Sequence, residues 1–189
     1  MKNQLRIIGG KWRGRKLNFV DAQGLRPTLD RVRETLFNWL QPVIYNAHCL
    51  DLYSGSGALG FEALSRGADQ VTMVDNNRRV ISQINQNLQL LSCENADAVC
   101  MDAVDFLSQQ HMQAITQPKY QVVFLDPPFN QGLLDSCCKK IEQQQLLADN
   151  SYIYIEAEKT LQLSNIPERW QKTKEKQAGQ LAYYLFYRE

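Results

Sequence analysis

The decapeptide Asp51-Leu52-Tyr53-Ser54-Gly55-Ser56-Gly57-Ala58-Leu59-Gly60 leaves few folds open to this chain. The apolar run from Cys49 to Leu52, broken by one acid at Asp51, reads as a buried parallel strand, and Ala58 to Leu64 begins a helical pattern directly after it. Between them Gly55, Gly57 and Gly60 stand in the spacing G-x-G-x-x-G. Such glycines permit a tight turn, close approach of a ligand to the backbone, and close packing of helix on strand. The motif fits nicotinamide, flavin and S-adenosylmethionine sites alike, so the rest of the chain must choose among them.

Three further strands end in acids. Val71 to Val74 runs into Asp75, with the next helix beginning near Asn76, and Asp75 lies 20 residues beyond Gly55. That is the place of the acid that accepts hydrogen bonds from ribose hydroxyls in nucleoside-binding βαβ units, although an acid there can also cap the next helix. Ala98 to Met101 ends at Asp102-Ala103, where the carboxylate either receives an adenine amino group or caps a helix. Tyr120 to Leu125 ends in Asp126-Pro127-Pro128-Phe129. Two prolines cannot extend a sheet ladder and hold the backbone rigid, so the Asp126 carboxylate and the neighbouring carbonyls are fixed in direction, with the Phe129 ring beside them.

Between these strands the apolar residues recur at helical spacing, as at Val80, Ile81, Ile84, Leu88 and Leu91, or from Ser136 to Leu147. Tyr152 to Ile155 reads as a fifth strand, and Trp170 to Lys176 with Leu181 to Tyr187 as a closing hairpin around Ala178-Gly179. Alternating strands and helices predict a three-layer α/β fold, Rossmann-like, with a mostly parallel sheet and a C-terminal antiparallel hairpin. Ligands in such sheets lie beyond the carboxyl ends of the strands, where the glycine turn and the acids converge. No Gly-Lys-Ser/Thr follows the glycines, which excludes a P-loop enzyme, and neither His48 nor His111 has a partner suited to nucleophilic hydrolysis. The five cysteines form no C-x-x-C pair, so a metal site is not expected.

The net charge of +1 conceals a division: residues 1–33 hold nine Lys and Arg against two Asp, a net +7, and the remainder nets −6. A basic end on an otherwise acidic chain points to a polyanionic partner. Leu5 to Ile8 and Lys11 to Leu17 read as two short strands around a Gly9-Gly10 turn, an N-terminal β-hairpin arm. On it Lys11, Arg13, Arg15 and Lys16 interleave with Trp12, a pattern for phosphate contact and base stacking in which Trp12 also serves as a possible anchor to the body. Leu29, Val32, Leu36, Phe37 and Leu40 then mark a covering helix with Thr28 as N-cap, whose polar face carries Arg31, Arg33 and Glu34. One domain is expected, with residues 1–45 as arm and covering helix and 46–189 as the core. No run suggests a membrane span or a secretory signal, so the expected setting is cytoplasmic and the expected state a monomer.

The blocks IIGGKWRGRKL (Ile7 to Leu17), RPTLDRVRETLFNWL (Arg26 to Leu40), LDLYSGSGALGFEALSRGA (Leu50 to Ala68) and FLDPPF (Phe124 to Phe129) together resemble the RsmD family of 16S rRNA guanine-N2 methyltransferases. More broadly, the tetrapeptide Asp126 to Phe129 is similar to that of class I S-adenosylmethionine-dependent methyltransferases acting on exocyclic amino groups. The resemblance implies methyl transfer from S-adenosylmethionine to N2 of a guanine, position 966 of 16S rRNA in that family, on naked rRNA or an assembled subunit. It implies that Asp51, Gly55 and Gly57 frame the methionine end of the cofactor, that Asp75 takes the ribose hydroxyls, that Asp102 and Ala103 meet the adenine, and that Tyr53, Ser54 and Asn76 are also cofactor-binding. Arg26 and Thr28 would lie over the cofactor, and Asp126, Pro127, Pro128 and Phe129 would carry catalysis. Tyr53 and Ser54 depart mildly from the more frequent Phe and Ala. Two alternatives stand beside this reading: a DNA adenine-N6 methyltransferase using the same tetrapeptide, and a non-catalytic RNA-binding ribosome-assembly factor.

Overall fold

The computed structural model describes residues 3–20, 30–110, 119–129 and 131–189. Two short antiparallel strands, β1 (Gln4–Arg6) and β2 (Lys16–Asn18), form the arm. Helix α1 (Asp30–Trp39) leads into the main sheet, whose strands are β3 (His48–Asp51), β4 (Gln70–Asp75), β5 (Ala96–Cys100), β6 (Tyr120–Leu125), β7 (Leu147–Glu158), β8 (Trp170–Ala178) and β9 (Leu181–Arg188). Helices α2 (Ala58–Ser65), α3 (Arg78–Leu90), α4 (Ala103–Gln109) and α5 (Leu133–Gln143) connect them. The spatial order is β5-β4-β3-β6-β7-β9-β8. The first five pair in parallel, whereas β9 runs antiparallel to both β7 and β8. Strand order reverses between β3 and β6, so the crevice outside their carboxyl ends is the topological switch point at which α/β sheets bind ligands.

The core lies on both faces of the sheet. One apolar cluster gathers Leu36, Phe37, Phe61, Val71, Phe124 and Tyr154, and the other Leu50, Val74, Val123, Leu125, Cys138 and Ile155. The alternation of Phe124 with Leu125, and of Tyr154 with Ile155, is the period-2 signature of strands covered on both sides. Helix α1 packs by burying Val32, Leu36 and Phe37, and Leu40 just beyond it joins them, each at 1% exposure or less. Each such burial contributes about 1.5–3 kcal/mol, and a cation is drawn under with them. That cation is Arg33, only 2% exposed, which donates to the carbonyl of Arg6 and to Asp30 Oδ1. Arg33 therefore ties α1 to the arm and is not part of a solvated face.

Two element boundaries differ from expectation. The helix read from Ser136 to Leu147 is α5, which ends at Gln143, and Leu147 already belongs to a β7 much longer than Tyr152 to Ile155. The apolar spacing of Cys137, Cys138 and Ile141 runs on into Leu146 and Leu147, but the chain turns at Gln145, a non-glycine residue with φ +53°. Gly9-Gly10 is also not a two-residue hairpin turn. The strands are shorter, Ile7 N–H donates to the Arg15 carbonyl, and a 3-10 turn at Gly10–Trp12 lies between. These glycines serve contact instead: a Cβ on Gly10, where φ is +75°, would meet the Ser65 carbonyl oxygen at 1.8 Å.

Candidate active site

The glycine turn leaves β3 at Asp51 and enters α2. Gly57 stands at the helix N-cap with φ +76°, a left-handed conformation that a side chain would strain. A Cβ on Gly60 would meet Met73 Sδ at 2.6 Å, so the third glycine lets α2 lie against β4. Ser54 turns inward, its hydroxyl donating to the Asp51 carbonyl, so only its backbone is presented to the crevice. The Tyr53 hydroxyl lies 3.1 Å from Cys137 Sγ on α5.

Asp51 and Asp75 hold this turn from below and from the side. Asp51 Oδ2 accepts from Gly60 N–H at 3.1 Å, and Asp75 accepts from Gly55 N–H at 3.0 Å and Asn77 N–H at 2.8 Å. Asp51 is buried, and that desolvation, with the charges of Asp126 and Asp75 adding to it against the Gly60 bond, pushes its carboxyl up to about 7. Three carboxylates thus share one crevice at the switch point. A cation placed among them would favour the ionised Asp51 and relieve their mutual repulsion. S-adenosylmethionine carries sulfonium and ammonium charges and hydroxyl donors, the kind of groups that a cluster of acceptor carboxylates suits.

Asn76 is exposed beyond Asp75, and the cap of α3 is Asn77, whose side chain accepts from Arg79 N–H. Asp102 caps α4, accepting from Val104 N–H at 2.8 Å and Asp105 N–H at 3.2 Å, while Ala103 is buried as the first residue of that helix. The hydrogen bonds bear out the helix-cap reading of this acid, and Asp102 remains exposed at the strand edge. Arg26 and Thr28 lie outside the described residues.

Asp126 leaves β6 half-buried, Pro127 is buried, and Phe129 stands 36% exposed at the mouth of a cleft of 190 Å³. Pro127, Pro128, Phe129, Glu156, Glu158 and Leu161 are among its lining. Strand and turn patterns do not mark Glu156 as a site residue, although a lone acid in the run SYIYIEA is its signal. The same holds for Glu62, the one acid in the otherwise apolar helix ALGFEALS. Fully buried, Glu62 accepts from the backbone N–H of Ile8 at 2.9 Å and of Gly9 at 2.8 Å, and from Arg66 at 2.7 Å. Ser65 completes the attachment, donating to the Gly9 carbonyl and accepting from Trp12 N–H. Trp12 is partly buried against the core, with Lys11 Nζ 4.3 Å from its ring centroid, whereas Lys11, Arg13, Arg15 and Lys16 are all exposed.

A family model, Conserved hypothetical protein 95, matches residues 5–187. Ribosomal RNA small subunit methyltransferase D of Escherichia coli K12 is 50% identical over 186 residues, which is 98% of this chain and 91% of that protein. The chain belongs to the RsmD family. The solved structure of Escherichia coli yhhF matches at TM-score 0.90 with 49% identity, covering 99% of both chains. The RsmD-family fold also reaches further, to the Thermus thermophilus 16S rRNA N2 G1207 methyltransferase RsmC, solved with AdoMet and guanosine. That likeness, at TM-score 0.73 and 16% identity over 100% of this chain and 50% of the other, is one of fold alone. Among the described residues, no helix is long and apolar enough to cross a membrane.

Proposed function

We propose that this protein transfers a methyl group from S-adenosylmethionine to the exocyclic N2 amino group of a guanine in small-subunit ribosomal RNA. The observation that carries this reading is the placement of Asp126-Pro127-Pro128-Phe129 beside the glycine turn, across the switch point of an RsmD-family fold. The name of the Escherichia coli relative supports ribosomal RNA as substrate, and the RsmC complex supports a seat for the cofactor in this fold.

Each residue has a defined task. Guanine N2 is a weak nucleophile because its lone pair is delocalised into the ring. Accepting its N–H groups at the Asp126 carboxylate and the Pro127 carbonyl favours a pyramidal, electron-rich nitrogen. Phe129, exposed at the cleft mouth, stacks on the extruded base, worth about 1–3 kcal/mol. The cofactor supplies an electrophilic methyl: the N2–carbon bond forms as the carbon–sulfur bond breaks, its electron pair staying on sulfur. Asp126 stabilises the positive charge developing on N2 and takes the proton released. Positioning contributes on the order of 7–11 kcal/mol in such reactions, which is why a rigid Pro-Pro corner suits the task.

The deciding experiment is mass spectrometry of digested small-subunit rRNA from a strain lacking the gene. One N2-methylguanine should vanish and return on complementation, and an unchanged modification profile would refute the proposal. Asp75→Ala is expected to weaken S-adenosylmethionine binding, on the order of tenfold for loss of a charge-assisted hydrogen bond. Calorimetry giving the wild-type dissociation constant would remove Asp75 from the ribose site. Replacing Lys11, Arg13, Arg15 and Lys16 together should flatten the slope of log affinity against log salt by up to about 2.8, from roughly 0.7 per phosphate contact on single strands. An unaltered slope in filter binding would make the arm purely structural.

A further inference from the structure

An acid beside two prolines presents an acceptor to any amino group, so Asp126 by itself does not choose between bases. The neighbouring strand carries a feature that does. Leu125, the last residue of β6, pairs in register with Ile155 of β7, so Asp126, just past the end of β6, follows the same register position that Glu156 follows within β7. Strands lie about 4.8 Å apart, close enough for both carboxylates to meet one edge of a single base.

Glu156 is 3% exposed, yet it lines the cleft together with Pro127, Pro128 and Phe129. Its Oε1 accepts a 2.7 Å hydrogen bond from the hydroxyl of Tyr154, itself fully buried. Burial, with the charges of Glu156 and Asp126, holds the Tyr154 hydroxyl well above the ordinary tyrosine range, so it remains a donor. A carboxylate has roughly four acceptor sites, and the Tyr154 bond takes one of them. An acid is costly in such an apolar strand, where a hydrophobic residue would stabilise the sheet more simply.

The bases differ at the atom such an acid would meet. Guanine presents an N1–H donor beside its 2-amino group, whereas adenine N1 and cytosine N3, the ring nitrogens beside their amino groups, are bare acceptors. A fixed carboxylate attracts the first and repels the others. Resting on the N2-guanine reading above, we infer that Glu156 is the specificity-determining residue of the cleft. It accepts the N1–H of the target guanine while Asp126 takes the adjacent amino N–H, and Tyr154 is the positioning residue that aims it.

The test uses a synthetic fragment of small-subunit rRNA that the full-length protein methylates, carrying guanine or 2-aminopurine at the methylated position. 2-Aminopurine keeps the amino group but has a bare N1. The wild-type protein should show kcat/KM on the order of 10- to 100-fold lower on 2-aminopurine. Glu156→Gln, whose amide donates to a bare N1, should lose activity on guanine and narrow or invert that ratio. Tyr154→Phe, which leaves the carboxylate in place but unaimed, should narrow it less. A Glu156→Gln protein with the wild-type ratio overturns the assignment, as does equal wild-type use of the two bases. Should Glu156→Gln fail to fold, the wild-type ratio and Tyr154→Phe decide together, and an unmoved ratio in Tyr154→Phe counts against it. Absence of any wild-type transfer to guanine N2 would instead defeat the proposed function, a result separable from a working N2 methyltransferase with indifferent Glu156.

Discussion

Asp126→Ala is expected to lower kcat for methyl transfer by on the order of 10²–10³-fold, the usual cost of removing one preorganised electrostatic partner of a transition state. The cofactor site should survive. Asp126 is one of the charges that raise the Asp51 carboxyl, so its removal eases Asp51 toward the ionised form. Affinity for the cationic S-adenosylmethionine should therefore hold or improve while turnover collapses, a split that a merely unfolded variant would not give. Single-turnover kinetics with tritiated cofactor, alongside calorimetry on the same preparation, measures both. Wild-type turnover would dismiss the mechanism, and parallel loss of binding and turnover would move Asp126 from catalysis to cofactor seating.

The second large effect concerns stability. Glu62→Ala removes the acceptor of two backbone N–H groups in the arm and the partner of Arg66, and it does so at a fully buried position. Hydrogen bonds to a buried charge contribute about 1.5–3 kcal/mol each, and the orphaned N–H groups partly regain water as the arm lifts away, so a loss on the order of 3 kcal/mol is expected. For a chain of this size that lowers Tm by roughly 6–12 °C. Ser65→Ala should cost less, since it removes neutral bonds to Gly9 and Trp12 only. A Glu62→Ala protein melting with the wild type would mean that Ser65, Arg33 and the apolar contacts of Ile7 and Leu17 hold the arm without it.

Much of this architecture was legible because its determinants are local. The β6 strand from Tyr120 to Leu125 and the glycine turn after β3 fall where pattern and turn chemistry place them. The failures occur where a contact distant in sequence overrides a local rule. Gly9-Gly10 satisfies the two-residue hairpin pattern, but the space it vacates is filled by the carboxyl end of α2. Arg33 sits at a spacing suited to a solvated face, yet the Arg6 carbonyl and Asp30 draw it beneath the arm. Gln145 turns the chain with no glycine to announce it. In the candidate site, the acids at strand ends were readable because strand ends are readable. Glu156 was not, since its meaning depends on the register of β7 against β6 and on the Tyr154 hydroxyl. Contacts distant in sequence hid the roles of Gly10, Arg33 and Glu156, whereas at Gln145 the turn simply lacks a marker residue.

Helix α2 is eight residues long, about 12 Å from end to end. Its first turn follows directly on the glycine turn at the crevice, and its last turn, through Glu62 and Ser65, grips the basic arm. A segment this short has no interior in which one end can fray while the other stays formed. Displacing one end of so short a segment displaces the other, so the glycine turn beside the crevice and the attachment of the basic arm are not mechanically independent.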